Sequence, residues 1–391
     1  MVYILKKNNN HSKGVAAFNM NEKDFFQKKF AQFFYKIELE LLKKKYFLLM
    51  HWSWYGNKEN DIPFIDYHLA GKTTLSFNNP KKNKIIDFCN RNFIDKIFQE
   101  KKITKIYDII SILRPVHWKN LKQLFIAANK IYKKKINLSF LVIIPMPNDK
   151  DFYGSKKSYT ELIADYNYYI DKNYRKYFTI LPINTFNYKY SLTKEQICNF
   201  LNLSKIFILP VKKEGASRVI HEALLCNVPI IYYKKLKGGG ADYLDKKNSL
   251  YYKSENEIYK KIIYSVKNYK KFKINKKKTK NLMSEEYQVP KFKKFLDKIY
   301  QEANEKFDGR IDLSELDRKL DSHKISLKKS LREPNSNHIK NFSAFYKYIC
   351  FLLEKRPSTI KLILINISEN LFYIMRYLKY EIYFKIKKFL L

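Results

Sequence analysis

Between residues 106 and 252 of the chain, short apolar runs alternate with stretches of helical period. Residues 106–112, 138–144, 177–181, 206–209, 229–233 and 249–252 are strand-length and mostly Ile, Leu, Phe, Val and Tyr. Near-continuous apolar runs of that length mark strands buried on both faces, as parallel strands are. Residues 121–132, 159–172, 194–203 and 216–225 instead place their apolar positions three and four apart, which predicts helices. Strands alternating with helices predict a parallel sheet covered on both faces, with ligands outside the carboxyl ends of the strands.

The pattern is less regular on either side. Residues 2–5 and 46–54 read as strands around a helical stretch at 21–44, and 73–77 as a short strand stopped by Asn78-Asn79-Pro80. Beyond 252, residues 255–268 and 290–307 read as helices, the lysine-rich passage 270–280 as a solvated connector, and 308–340 as exposed helix or linker. The last fifty residues are apolar, aromatic and basic. The expected organisation is an α/β N-terminal region at 1–85, an α/β unit at 86–300 and a basic helical extension at 301–391.

Hydrophobic residues make up 46% of the 391, enough for packed cores. The 77 Lys and Arg against 37 Asp and Glu give a formal net charge of +40, which attracts any polyanion. The lysines are spread along the chain, Lys, Asn, Ile, Tyr and Phe rise together as in an AT-rich coding sequence, and no RNA- or DNA-binding signature accompanies them. No specific nucleic-acid partner is therefore expected. The four cysteines show no CxxC spacing, which predicts a reducing compartment and no metal site. The first residues, MVYILKKNNN, hold too short an apolar stretch for a signal peptide, and no run of about 18 apolar residues predicts a membrane span. These features together predict a cytoplasmic chain.

Three pieces of the α/β unit carry candidate chemistry. Residues 212–231 read KKEGASRVIHEALLCNVPII, setting Glu214 and Glu222 eight positions apart around a helix start. If that segment is helical, the two acids stand roughly 12 Å apart along the axis. Free amides and the positive end of the helix dipole lie between them, a seat for phosphate. Gly215 lets a ligand approach the backbone closely. Hydroxyl-binding acids at both ends with phosphate between them match the layout of a sugar nucleotide. In SILRPVHWKN, Arg114 and Lys119 follow a strand, where a guanidinium fork and an ammonium can neutralise a diphosphate. Gly238-Gly239-Gly240, three of only nine glycines, marks backbone passing close to something. Taken singly, Glu214 is an ordinary acid near a helix start, Glu222 a solvent-facing helix residue, and Arg114 and Lys119 surface cations; their order along the chain favours a shared site.

LPVKKEGASRVIHEALLCNVPII, followed by GGGADYLDKKNSLYY and preceded by the R-x4-K of Arg114 and Lys119, resembles the donor-binding half of retaining glycosyltransferases of the GT-B fold, over about residues 86–300. The resemblance implies a GT-B-like α/β architecture: a Rossmann-like donor domain, a reduced N-terminal α/β region and a helical tail. It implies that the protein moves a sugar from a nucleotide-sugar donor to an envelope glycan or lipid-linked saccharide, with retention and without a metal or other cofactor. Glu214 would contact the transferred sugar and Glu222 the nucleotide ribose, with Gly238 and Gly239 lining the donor site. Arg114 and Lys119, with amides around Gly215, Ala216 and Ser217, would stabilise the departing diphosphate, which helps deprotonate the acceptor hydroxyl.

Two departures stand out. Asn227 replaces the usual glycine at the helix end, tolerable because Asn adopts the left-handed conformation. Only some 85 residues are left for an acceptor domain, so the cleft is shallow, completed by the C-terminal region or a partner, or inactive; a catalytically dead glycan-binding or scaffolding derivative is the alternative function. His51, in MHWSW, is the best candidate for an N-domain active-site histidine, with a structural role as its rival. Asp149-Lys150-Asp151 reads as a turn rather than a metal motif. If 358–391 is helical, Ile360, Leu364, Ile367, Leu371 and Ile374 begin one apolar stripe, and residues 341–391 carry nine Lys or Arg against three Glu. Such a helix lies on an anionic membrane surface, packs onto the body, or pairs with 342–353.

Overall fold

The computed structural model describes residues 2–313 apart from 10, 28, 53–56, 60–61, 71–74, 78–83, 89, 147–155 and 185–191, and residues 342–371 apart from 369. Asp149-Lys150-Asp151 lies outside the described residues. The N-terminal region contains β1 (Val2–Lys6), β2 (Gly14–Asn19), α1 (Lys23–Gln27), α2 (Lys29–Lys45), β3 (Tyr46–His51), β4 (Asn57–Glu59), β5 (Tyr67–Ala70), β6 (Leu75–Phe77) and β7 (Lys84–Asp87). Its main sheet has the order β1-β2-β3-β5-β7, antiparallel only between β1 and β2, and β4 pairs with β6 separately.

Alternation along two of these strands shows how the sheet is covered. On β2 and β3, Ala16, Phe18, Tyr46, Leu48 and Met50 enter one core while Val15, Ala17, Phe47 and Leu49 enter another. Successive strand side chains point to opposite faces, so the sheet is buried on both. The cover comes partly from neighbouring helices and partly from far along the chain. One face receives α1, α2 and α10 (Phe342–Leu352), with Phe345, Tyr346 and Ile349 buried among Phe18, Phe26 and Leu39. The other receives Phe292, Leu296, Ile299 and Tyr300. The N-terminal region thus draws one covering layer, and part of the other, from residue 285 onward, and a boundary at residue 85 would fall inside β7.

The second unit contains β8 (Tyr107–Ile112), α3 (Leu121–Tyr132), β9 (Phe140–Met146), α4 (Lys156–Tyr169), β10 (Phe178–Asn184), α5 (Lys194–Asn202), β11 (Ser204–Leu209), β12 (Lys213–Ala216), α6 (Arg218–Leu225), β13 (Ile230–Tyr233), β14 (Lys237–Gly239), β15 (Ser249–Tyr252), α7 (Ile258–Lys267) and α8 (Lys276–Met283). Its six-stranded sheet is parallel throughout, in the order β10-β9-β8-β11-β13-β15. The helix α9 (Glu285–Glu302) then carries the chain back to the N-terminal sheet. The lysine-rich passage 270–280 is not simply a connector. Asn275 caps α8 by accepting from the Lys278 N–H at 2.9 Å, and Thr279 and Met283, four apart, are buried. Lysine is a good helix former, so one capped turn with a two-residue buried face suffices. Cys198 and Cys226 meet at 3.7 Å inside this unit, both as free thiols. Among the described residues no helix is long and apolar enough to cross a membrane.

Two wholly buried histidines give the fold a pH dependence. His51, at the end of β3, is 1% exposed, and burial alone pulls its pKa down to about 3; this is a core histidine, not one facing a cleft. His221 on α6 is held well below the ordinary value of 6.5 by burial and by the nearby Arg91 guanidinium. Below pH 6.5 the unfolded chain binds protons that the native state refuses, so stability falls with pH from 6.5 toward about 3. The slope is about 1.4 kcal/mol per pH unit for each histidine. Urea midpoints measured from about pH 7.5 down to about pH 5 should decline steadily; a flat profile would contradict the burial of these rings.

Candidate functional site

The order of the second sheet defines where a ligand can enter. From β8 the chain builds outward through β9 and β10, then returns to β11 on the other side of β8 and builds through β13 and β15. Connections on the two sides of this switch leave the sheet in opposite directions, opening a crevice beyond the carboxyl ends of β8 and β11. The loops that follow those two strands carry the candidate residues.

The β8 loop is tightly wound. The Val116 N–H donates to the Arg114 carbonyl at 2.8 Å, and a 3₁₀ turn at His117–Lys119 closes through Asn120 N–H to the His117 carbonyl at 3.0 Å. Asn120 sits in the left-handed region at φ 60 and also starts α3. Its side-chain amide donates to the Pro210 carbonyl at 3.2 Å and to Glu255 at 3.4 Å, and Glu255 pairs with Lys212 at 2.9 Å. One asparagine therefore ties together the loops after β8, β11 and β15. Asn120 and Glu255 are positioning residues absent from the sequence candidates; a non-glycine residue fitted for positive φ just before a helix was the only signal.

Within this frame Lys119 donates directly to the Glu214 carboxylate, with the two side chains 14% and 15% exposed. Two of the predicted residues, 95 positions apart, thus form a mostly buried ion pair across the switch. Arg114 lies half-buried in the same loop. Trp118, next to Lys119, leaves its indole 47% exposed and makes an edge contact with His117 at 4.8 Å.

Glu214 is not at the helix start. The expected helix at 216–225 begins instead at Arg218, and Glu214, Gly215 and Ala216 belong to the extended β12. The cause is the glycine run: β14 pairs in parallel with β12, setting Glu214 against Gly238 and Ala216 against Gly239, with an irregularity at Gly215. The 12 Å helical spacing of the two acids therefore does not apply, because the chain between them is extended for its first half. The three predicted pieces are nonetheless brought together: the β8 loop through Lys119, and the glycine run through the backbone of β12.

At the start of α6, Ser217 occupies the N-cap position, is 6% exposed and makes no side-chain capping bond. The first turn contains no acid and opens with Arg218. A cation there opposes the helix dipole. It is offset four residues on, where Glu222 faces the Arg218 guanidinium at 3.7 Å, with side-chain exposures of 12% and 20%. Arg218 was not among the candidates, although its i,i+4 spacing to Glu222 is legible. Gly240, at φ +106, runs so close to α6 that an added Cβ would stand 2.7 Å from the Ile220 side chain. Tyr243 then anchors the loop, its ring 4.7 Å from His221 and 5.2 Å from the Arg91 guanidinium, while its hydroxyl accepts from Asn92 at 3.3 Å. At the far end of α6, Asn227 adopts φ 58, the left-handed conformation expected of it.

No protein-family model and no curated protein matches the chain. Solved structures do. HepE of Anabaena in complex with UDP aligns with a TM-score of 0.51 at 11% identity, over 68% of this chain and 76% of that one. S. aureus TarM aligns at 0.47 and 18% identity over 65% of this chain and 50% of that one. The pneumococcal O-GlcNAc transferase GtfA, solved with UDP and GlcNAc, aligns at 0.45 and 14% identity over 68% and 54%. The chain thus spans about half the length of TarM and of GtfA. The architecture is GT-B-like: a Rossmann-like parallel-sheet domain beside a smaller α/β region, with the last long helix returning to the first sheet.

Proposed function

We propose that the protein is a retaining, metal-independent glycosyltransferase that takes a sugar from a nucleotide-sugar donor and places it on a hydroxyl of an envelope glycan or lipid-linked saccharide. The observation that carries the reading is the Lys119–Glu214 pair spanning the switch-point crevice. A nucleoside diphosphate seated there would have Arg114 and Lys119 on one side and the first amides of α6 on the other. Both would stabilise negative charge as the bond from the sugar C1 to the phosphate oxygen breaks. Glu214, already held by Lys119, would face the sugar, and Glu222, oriented by Arg218, the ribose hydroxyls. The phosphate oxygen released on the same face would accept the proton of the incoming acceptor hydroxyl, which gives retention.

The test is a panel of nucleoside diphosphate sugars screened by thermal shift, beginning with UDP-sugars because HepE holds UDP. At least one donor should raise the melting temperature. The Glu222→Ala variant should bind that donor about tenfold more weakly, the loss of one or two hydrogen bonds to a buried carboxylate. A panel that neither stabilises the wild-type chain nor undergoes slow hydrolysis would favour a glycan-binding scaffold instead.

A further inference from the structure

Residues 359–368 and 370–371 are helical and follow α10. The helix seats Ile365, fully buried, in the core beneath the N-terminal sheet, with Leu362 beside it. Lys361 pairs with Glu38 of α2, which fixes the helix against that element. On its outer side Ile360 is 72% exposed, Ile363 52%, Leu364 46%, Ile367 52% and Leu371 53%. At 100° per residue these five fall within an arc of roughly 100° centred opposite Ile365. The helix is apolar on both sides, and one side faces outward. On α2, Phe33 is 83% exposed and Ile37 66%. Seven of the fifteen exposed large apolar side chains among the described residues therefore lie on two helices joined by an ion pair, a concentration that scattered surface residues do not produce.

We propose that this face is a docking surface for an anionic lipid bilayer, on which the protein lies without crossing it. Charge argues for lipid over a second copy of the chain. Residues 359–391 carry six Lys or Arg against two Glu, and Lys44 follows Ile37 two turns on along the exposed side of α2. A symmetric pairing of two copies would bring two chains of formal net charge +40 face to face, whereas acidic headgroups neutralise that charge while the acyl boundary takes up the isoleucines and leucines. No helix among the described residues can span, so the mode is interfacial. The inference is independent of the transferase reading, because it uses none of the residues at the switch-point crevice.

Flotation of the full chain on phosphatidylcholine vesicles, with and without about 30% phosphatidylglycerol, tests it. The wild-type protein should float with the anionic vesicles, remain unbound to the neutral ones, and be largely released when salt is raised from about 0.1 M to about 0.5 M. The double variant Ile363→Gln/Ile367→Gln removes two outward side chains without touching the core. It should keep the wild-type melting temperature and lower the floated fraction about fivefold. Ile103→Gln, an exposed site elsewhere, should change nothing. Absence of wild-type flotation, equal flotation of the double variant, or a dimer in sedimentation that the double variant dissociates would each overturn the proposal.

Discussion

Replacing Lys119 with methionine is expected to lower donor turnover by about 10²–10³-fold, the effect of removing one preorganised charge donor from a developing anion. Part of the change will appear as stability, because Glu214 is only 15% exposed and would lose the cation it pairs with. Breaking a buried pair from one side costs about 3–5 kcal/mol, and the remaining exposure places this one at the low end. Stability and catalysis are separated by the companion variant Lys119→Met/Glu214→Gln, in which the carboxylate charge is removed together with its ammonium partner. It should regain most of the lost melting temperature and none of the turnover. If Lys119→Met alone kept wild-type turnover when assayed well below its melting temperature, Lys119 would be a structural partner of Glu214 and nothing more.

The second large effect lies far from the crevice. Phe345 of α10 is fully buried, stacks on Phe25 at 4.9 Å, and makes edge contacts with Phe26 at 5.2 Å and Tyr35 at 5.5 Å. Truncation to alanine leaves a cavity among rings that cannot collapse into it, so Phe345→Ala should cost about 3–5 kcal/mol. The measurement is the urea midpoint of the full chain, read with a probe of the N-terminal region such as the fluorescence of the buried Trp52. A variant that unfolds like the wild type would mean that the C-terminal segment is an accessory to this core rather than its second layer.

The fold and the site were unequally legible in the sequence, for physical reasons. The strands of the six-stranded sheet are buried on both faces and read as apolar runs whatever surrounds them. The N-terminal β2, GVAAFN, and β5, YHLA, mix small or polar residues into short strands and give no such run. Their burial depends in part on α9 and α10, and periodicity reports that a helix has an apolar side without saying which sheet, hundreds of residues away, it will cover. The same limit applied at the site. Glu214, Lys119 and the glycine run were each visible, but the pairing of β12 with β14 has no side-chain pattern to announce it, since Gly238 and Gly239 offer none. That pairing draws Glu214 out of the helix. Asn120 and Arg218 escaped notice because each acts through a neighbour: one by adopting positive φ, the other by sitting four residues before a carboxylate.

The most direct test is a crystal structure of the chain with a nucleoside diphosphate bound. The diphosphate is predicted to lie between the Lys119 ammonium and the first amides of α6, with the ribose toward Glu222 and the backbone of Gly238 and Gly239 alongside. A diphosphate bound elsewhere on this strongly basic surface, with the Lys119–Glu214 crevice closed and unchanged, would contradict the assignment.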